Sequence, residues 1–345
     1  MTNNSPNSGK RLLVAILFVL ASMARAYPGK RLQLQQLVAD SDVIAIADLS
    51  NIRNVGTIET VVDGNTVKAN VYKADALLLR SLKGSCPDRL ILGFYTPREF
   101  VGYPGIGTGP QMVFLRQGQK GYVFADRHYP SLPAIANASP PPGAASLDDP
   151  LQRVVAELGS VIASTSAPTR DKWTVLARAY AVPKSAYFAS ALQLGLKEAN
   201  DDDLKYRIQA ELMSRDDLSQ LSAAEKLLLT GALNVKQKEL FLSVIANQIK
   251  NPDAAPMLAR LLHSGDAETR KAAAEGLWNS ADVRAVPDLV KALQDENEQV
   301  RFYAVRALAE LNNEPRWGPS AVEFQEHQQQ YLSHWQDWAT TRPEK

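Results

Sequence analysis

Cysteine, histidine and clustered carboxylates are the side chains in this sequence that could do chemistry. One thiol is present, Cys86, in the run Gly84-Ser85-Cys86-Pro87. A reactive thiol needs an electropositive, partly open setting. Lys83 and Arg89 are near it in sequence, but none of the four histidines is. The run reads as a turn after a strand, with Cys86 a packing residue. The histidines are His128, His263, His327 and His334. They form no His-Glu-x-x-His motif, and one cysteine supplies no pair of zinc thiolates. His327 and His334 stand two helical turns apart, too far for joint ligation. Asp201, Asp202 and Asp203 lack the spacing, glycine and closing glutamate of a calcium loop, and read as a helix cap. Asp148-Asp149 and Asp216-Asp217 precede helical stretches, where the helix dipole favours negative charge. No Gly-x-Ser-x-Gly elbow occurs. Gly102, Gly105, Gly107 and Gly109 make a glycine-rich stretch, but Pro110 and a strand follow it. A phosphate loop needs Gly-Lys-Ser/Thr opening a helix, so this one reads as a long loop on a β scaffold. No residue is assigned to catalysis, to a metal or to a cofactor.

The elements that would position any such group fall into two kinds. The chain has 345 residues, enough for about two domains. Its 45% hydrophobic content excludes wholesale disorder. A formal charge of +1 gives no global field toward nucleic acid, and none is expected as a partner. Lys10 and Arg11 precede an apolar run, Leu12 to Leu20, and Ala24-Arg25-Ala26 is a small-residue cleavage site. Residues 1–26 therefore read as a secretory signal peptide, cut after Ala26. The run is short of the roughly 20 residues needed to span a bilayer. The expectation is an exported protein, periplasmic or secreted, with no stable membrane insertion after cleavage.

Residues 27–128 read as a small β domain, a barrel or a sandwich. A short helix at Leu32–Ala39 leads into apolar runs at Val43–Ala47, Val67–Leu82, Arg89–Tyr95, Met112–Leu115 and Tyr122–Ala125. Short apolar runs bounded by Gly, Pro, Asn and Asp are strand signals. Ala74–Leu82 fits a helix as well, since periodicity cannot separate the two over so few residues. Residues 129–150, rich in Pro, Ala and Ser, read as a semi-rigid linker.

From Leu151 the periodicity is helical. Val154, Val155, Leu158, Val161 and Ile162 fall at helical spacing. Ser222 with Glu225, and Ser320 with Glu323, have capping-box spacing. One constant shift along the chain superposes Ala254 on Ala285, Pro256 on Pro287, Leu258 on Leu289 and Leu262 on Leu293. The same shift carries Arg270 to Arg301, Ala273 to Ala304 and Leu277 to Leu308. Each unit reads helix, tight turn, helix, with apolar i, i+4 pairs on one face. Two units cannot stand alone, so the earlier helices should complete an α-solenoid over 151–318. Residues 319–345 read as a capping helix with Phe324, Gln328, Tyr331, Trp335 and Trp338 near one stripe.

The repeated turn-helix residues, Asp266 to Arg270 and Asn297 to Arg301, resemble those of HEAT repeats, especially the short variety of phycobilisome-lyase-like repeat proteins. Asn297 stands where Asp is usual, which weakens the expected Asp–Arg ladder. In the β region, Ser41, Asp42, Leu82, Lys83, Gly84 and Val113-Phe114-Leu115 resemble small exported β-barrel domains, OB-like or netrin-like. The first resemblance implies a non-enzymatic scaffold whose second helices line a protein-binding surface. Lys271, Glu275, Trp278, Phe302 and Arg306 are the residues it would place there. The second resemblance implies a second recognition module, or inhibition of an extracellular protease. That inhibition uses an N-terminal cysteine held by disulfides, which Tyr27 and the lone Cys86 do not supply. The repeat resemblance also carries a third expectation, an enzyme of the bilin-lyase type.

Overall fold

The computed structural model describes residues 25–26, 31–62, 64–98, 100–101, 106–118, 121–126, 128–137 and 147–341. Residues 1–24 of the expected signal peptide, and the glycines Gly102 and Gly105, lie outside them. The chain divides into two compact units, Met1–Ala191 and Leu192–Lys345. A β domain followed by an α-solenoid is the architecture observed.

The first unit is built on one antiparallel sheet. Its strands are β1 (Val43–Val62), β2 (Asn65–Lys83), β3 (Arg89–Pro97), β4 (Gly109–Gly118), β5 (Gly121–Phe124) and β6 (Ser131–Pro133). They lie in the order β3-β2-β1-β4-β5, with β6 also paired to β4. Among the described residues the one other pairing is Arg25–Ala26 with Phe100–Val101, a two-residue parallel pair separate from this sheet. The larger sheet curls until Phe94 on β3 and Phe124 on β5 meet edge-on, with ring centroids 6.4 Å apart. The stretch Ala74–Leu82 is strand: β2 pairs residue by residue with β1 from Ile44↔Lys83 to Val62↔Asn65.

Both faces of the sheet are buried near its base. One face gathers Val43, Ala45, Leu49, Leu92, Val113 and Leu115 into a core. The other buries Ile44, Ile46, Met112 and Phe114, where α1 (Leu34–Asp40) packs on β4 and α2 (Pro150–Ala163) on β2. Burial on both faces explains why Val43–Ala47 is a continuous apolar run rather than an alternating one. Past Leu49 the β1–β2 ribbon runs outward, shifted at Ser50/Arg53 and Asn54/Gly56, and leaves Val55, Ile58 and Val61 exposed.

Two boundaries differ from the expected ones. Ser131–Pro133 pairs with Gln111–Val113 and buries Leu132, so the sheet continues into the stretch expected to be linker. Proline is admitted there because β6 is an edge strand. The first unit also extends past residue 150 to include α2 and α3 (Thr169–Leu176). The reason is a buried ion pair. Arg80 on β2 holds Glu157 on α2 with Nε 2.8 Å from Oε1, and also bonds the Ile135 and Ala136 carbonyls. Arg153 on α2 adds a bond to the Leu82 carbonyl, 3.2 Å.

Helix α4 (Ala186–Glu198) contains the division between the units. The second unit then runs α5 (Asp202–Met213), α6 (Leu218–Thr230), α7 (Val235–Asn247), α8 (Ala255–Leu261), α9 (Ala267–Ser280), α10 (Val286–Ala292), α11 (Glu298–Leu311) and α12 (Ala321–Thr341). The second helices of successive repeats, α5, α7, α9 and α11, pack side by side. Each buries an i, i+4 pair completely: Ile208 and Leu212, Phe241 and Ile245, Ala273 and Leu277, Ala304 and Leu308. Each is also capped by an equivalent side chain. Asp201, Asn234, Asp266 and Asn297 accept from the backbone N–H of Leu204, Gln237, Thr269 and Gln299 at 2.7–3.0 Å. Pro256 and Pro287 sit in the first turns of α8 and α10, where amide hydrogens have no helical partner. Ser222 lies inside α6, which is capped by Asp217 instead. Ser320 and Glu323 do form the reciprocal capping box that opens α12.

Candidate functional site

The equivalent side chains along α9 and α11 make the most distinctive surface of the second unit. Lys271, Glu275 and Trp278 follow one face of α9, while Phe302, Tyr303 and Arg306 follow α11. All six are half-buried. The Arg306 guanidinium lies 4.3 Å from the centre of the Trp278 ring and 5.9 Å from that of Phe302. Such a cation over an indole face is attracted by the ring's charge distribution. Arg306 also donates to the Pro319 carbonyl, 3.1 Å, which holds it over the ring. Tyr303 joins the two helices, its ring 6.0 Å from Trp278 and 5.2 Å from Phe302. Burial, then the charge of Glu275, pushes its hydroxyl up to about 12, so it is a neutral donor toward that carboxylate. Trp278, Phe302 and Arg306 thus come together, with Glu275 tied in through Tyr303.

Lys271 and Glu275 also line a groove of about 580 Å³ between α7 and α9. Its α7 wall carries Val235, Lys238, Glu239, Leu242, Ser243 and Ala246. Tyr303, Glu239 and Leu242 are not singled out by the sequence. The repeat register contains the signal for Glu239. Moving back one repeat from Lys271 and Glu275 gives Glu239 and Ser243, and both line the groove.

Charged side chains under this surface hold the repeats in register. Lys238 Nζ is 2.7 Å from Asp266 on the next repeat. Arg270, almost fully buried, is 2.7 Å from Asp295 and 3.0 Å from Glu296. The ladder therefore survives the Asn at position 297, because Asp295 in the same turn takes the guanidinium. Burial alone would raise the Asp295 carboxyl. The bond from Arg270 and the Asn297 amide outweigh it and hold the group below the usual carboxylate range.

The remaining chemistry-bearing residues are dispersed. Cys86 is half-buried at the edge of the sheet core, and burial followed by the charge of Asp88 pushes its thiol up. That is the opposite of what activates a thiol. His128 is buried beside Asp126, 3.3 Å away. His263 faces Asp288 at 3.2 Å. His327 lies at a non-helical break in α12, and His334 stacks flat on Trp317 at 3.7 Å. Among the described residues no three metal-ligating side chains converge. In the cap, Phe324 and Trp335 are fully buried, and the Trp335 indole donates to the Trp317 carbonyl, 3.2 Å. The aromatic stripe of α12 closes the end of the core.

The sequence profile of HEAT repeats matches residues 228–309 and, in a second register, 254–324. Residues 228–324 therefore carry HEAT repeats, and they contain the whole of the surface described above. No curated protein matches the chain.

Proposed function

We propose that this chain is an exported, non-enzymatic interaction protein. It binds a protein partner through the second-helix face of its solenoid, with the β domain as a second recognition module. The observation that carries the reading is the meeting of Trp278, Phe302 and Arg306 from two consecutive repeats. HEAT repeats are a scaffold that offers an extended surface, and tryptophan and arginine dominate binding energy at such surfaces. Export is supported by the pattern from Lys10 to Ala26. Among the described residues no helix is long and apolar enough to cross a membrane.

The test is affinity capture from the native envelope with the full chain and with its Trp278→Ala/Phe302→Ala variant. One reproducible partner, whose purified form binds the full chain at least tenfold more tightly than the variant, is the expected result. Equal binding by both would move recognition off this face. The mass of the exported protein checks the leader: it should begin at Tyr27, and a mass beginning at Met1 contradicts cleavage.

A further inference from the structure

The groove between α7 and α9 has a charge pattern that specifies what can enter it. Five charged side chains line it: Lys238, Glu239, Glu268, Lys271 and Glu275. Both cations are already committed. Lys238 reaches Asp266, and Lys271 lies 3.6 Å from Glu268. Among the described residues no cation pairs with Glu239, which is exposed on α7. Glu275 has the neutral Tyr303 hydroxyl as its neighbour. Two carboxylates, one on each wall, therefore remain without a counter-charge. Between them the walls are apolar: Leu242 and Ala246 on α7, Ala272 on α9, and Val235 at one end, 72% exposed. Beyond Glu275 the same helix leads to Trp278, whose face is attractive to a cation and holds Arg306.

We infer that this groove binds a basic segment of a partner protein, with Lys or Arg meeting Glu239 and Glu275 and an aliphatic side chain resting on Leu242 and Ala246. The inference rests on the protein-binding reading above and deepens it by stating the partner's chemistry. An acidic segment would meet two uncompensated carboxylates and be excluded by like-charge repulsion. The carboxylates are solvent-accessible, so the attraction is screened by salt. The aliphatic contact is not.

The test uses the full chain and three fluorescent peptides of equal length, in which leucine alternates with arginine, glutamine or glutamate. Binding is read by anisotropy at low and at physiological salt. A benzophenone at the centre of each peptide reports contact with α7. The expected result is binding of the arginine peptide, crosslinked at Leu242 or its neighbours and weakened at least tenfold by Glu239→Gln/Glu275→Gln. Both substitutions are close in shape and keep a hydrogen-bonding oxygen, so the fold is preserved. Glu310→Gln, an exposed carboxylate elsewhere on α11, should change nothing. Arginine-peptide binding that the double variant leaves intact would overturn the inference, as would absence of binding. Glutamine or glutamate peptides crosslinking to α7 as well as the arginine peptide would overturn the charge argument while leaving the protein-binding reading in place. If the partner of the Trp278 face is captured but no peptide enters the groove, the inference fails alone.

Discussion

The sheet of the first unit and the repeats of the second place their contacts at opposite ranges along the chain. Ile44 lies opposite both Lys83 and Phe114, so the sheet core needs residues from three distant strands at once. Leu277 and Leu308 do the same job one repeat apart, each against the neighbouring repeat. The sheet should unfold as one body. The repeats should add stability pair by pair, as a nearest-neighbour stack. The difference also separates support from variation. In the stack the buried i, i+4 pairs stay apolar in every repeat. The equivalent surface positions, by contrast, change from Glu239 to Lys271 to Phe302. Recognition can be rewritten there without touching the core.

The largest expected effect breaks that comparison open. Phe114→Ala removes a fully buried ring from the sheet and should cost about 3–5 kcal/mol. Hydrogen exchange should show protection lost together across β1, β2 and β4. Leu308→Ala should cost about 2–5 kcal/mol, with lost protection confined to α9 through α12. Spread of the Leu308 lesion into the sheet would contradict independent stacking.

Two ion pairs sharpen the contrast at the next scale. Glu157→Gln leaves the Arg80 guanidinium without its carboxylate under α2, and Asp295→Asn leaves Arg270 between repeats with only the exposed Glu296. Each should cost about 1–3 kcal/mol by urea denaturation, because the guanidinium loses its better-buried carboxylate partner. Glu157→Gln should loosen the attachment of α2 to the sheet, and Asp295→Asn the junction between α9 and α11. Gly276→Ala should fall in the same range, about 1–3 kcal/mol. Its new methyl would lie 2.7 Å from the Ile245 carbonyl oxygen, where α9 crosses α7.

The smallest effect separates the units by pH. Burial holds the His128 imidazole below its ordinary pKa. The unfolded chain then takes up that proton first as pH falls. The contribution is full above about pH 6.5 and is lost as pH falls through the lower folded value. In the repeats, Asp282 is held below the carboxylate range by Arg284, and Asp295 by Arg270 against its burial. Their contribution is full above about pH 4 and is lost only below it. Thermal melts from pH 7 to 5 should therefore weaken the first unit, by less than about 1 kcal/mol, before the second. His128→Phe should flatten that slope.

The solenoid is largely legible in the sequence because each repeat states the same pattern again. Ala254, Leu258, Ala273 and Leu277 recur one repeat later and are all buried. The pairs Ile208/Leu212 and Phe241/Ile245 obey the same rule, but large side chains replace alanine and hide the register. In the sheet, Val43–Ala47 is readable as a strand. Its continuation to Val62 is not, since the shifts near Arg53 and Gly56 break the alternation of Val55, Ile58 and Val61. Strand β6 is hidden by Pro130 and Pro133, which mark a linker by composition yet fit a sheet edge. Of the candidate surface, Trp278, Phe302 and Arg306 can be named from the resemblance to HEAT repeats, although the repeat register alone does not show which face is open. Tyr303 cannot, because its role comes from crossing between helices.

The central claim is that a partner is held by the α9–α11 face. The most direct measurement places a photo-crosslinking residue at Phe302 and, in a second protein, at Ile91, which is exposed on β3. Both are irradiated in intact cells of the native source. A single discrete adduct from position 302, lost on addition of Trp278→Ala, is the predicted result. An adduct from position 91 with none from 302 would contradict the account and move recognition to the sheet.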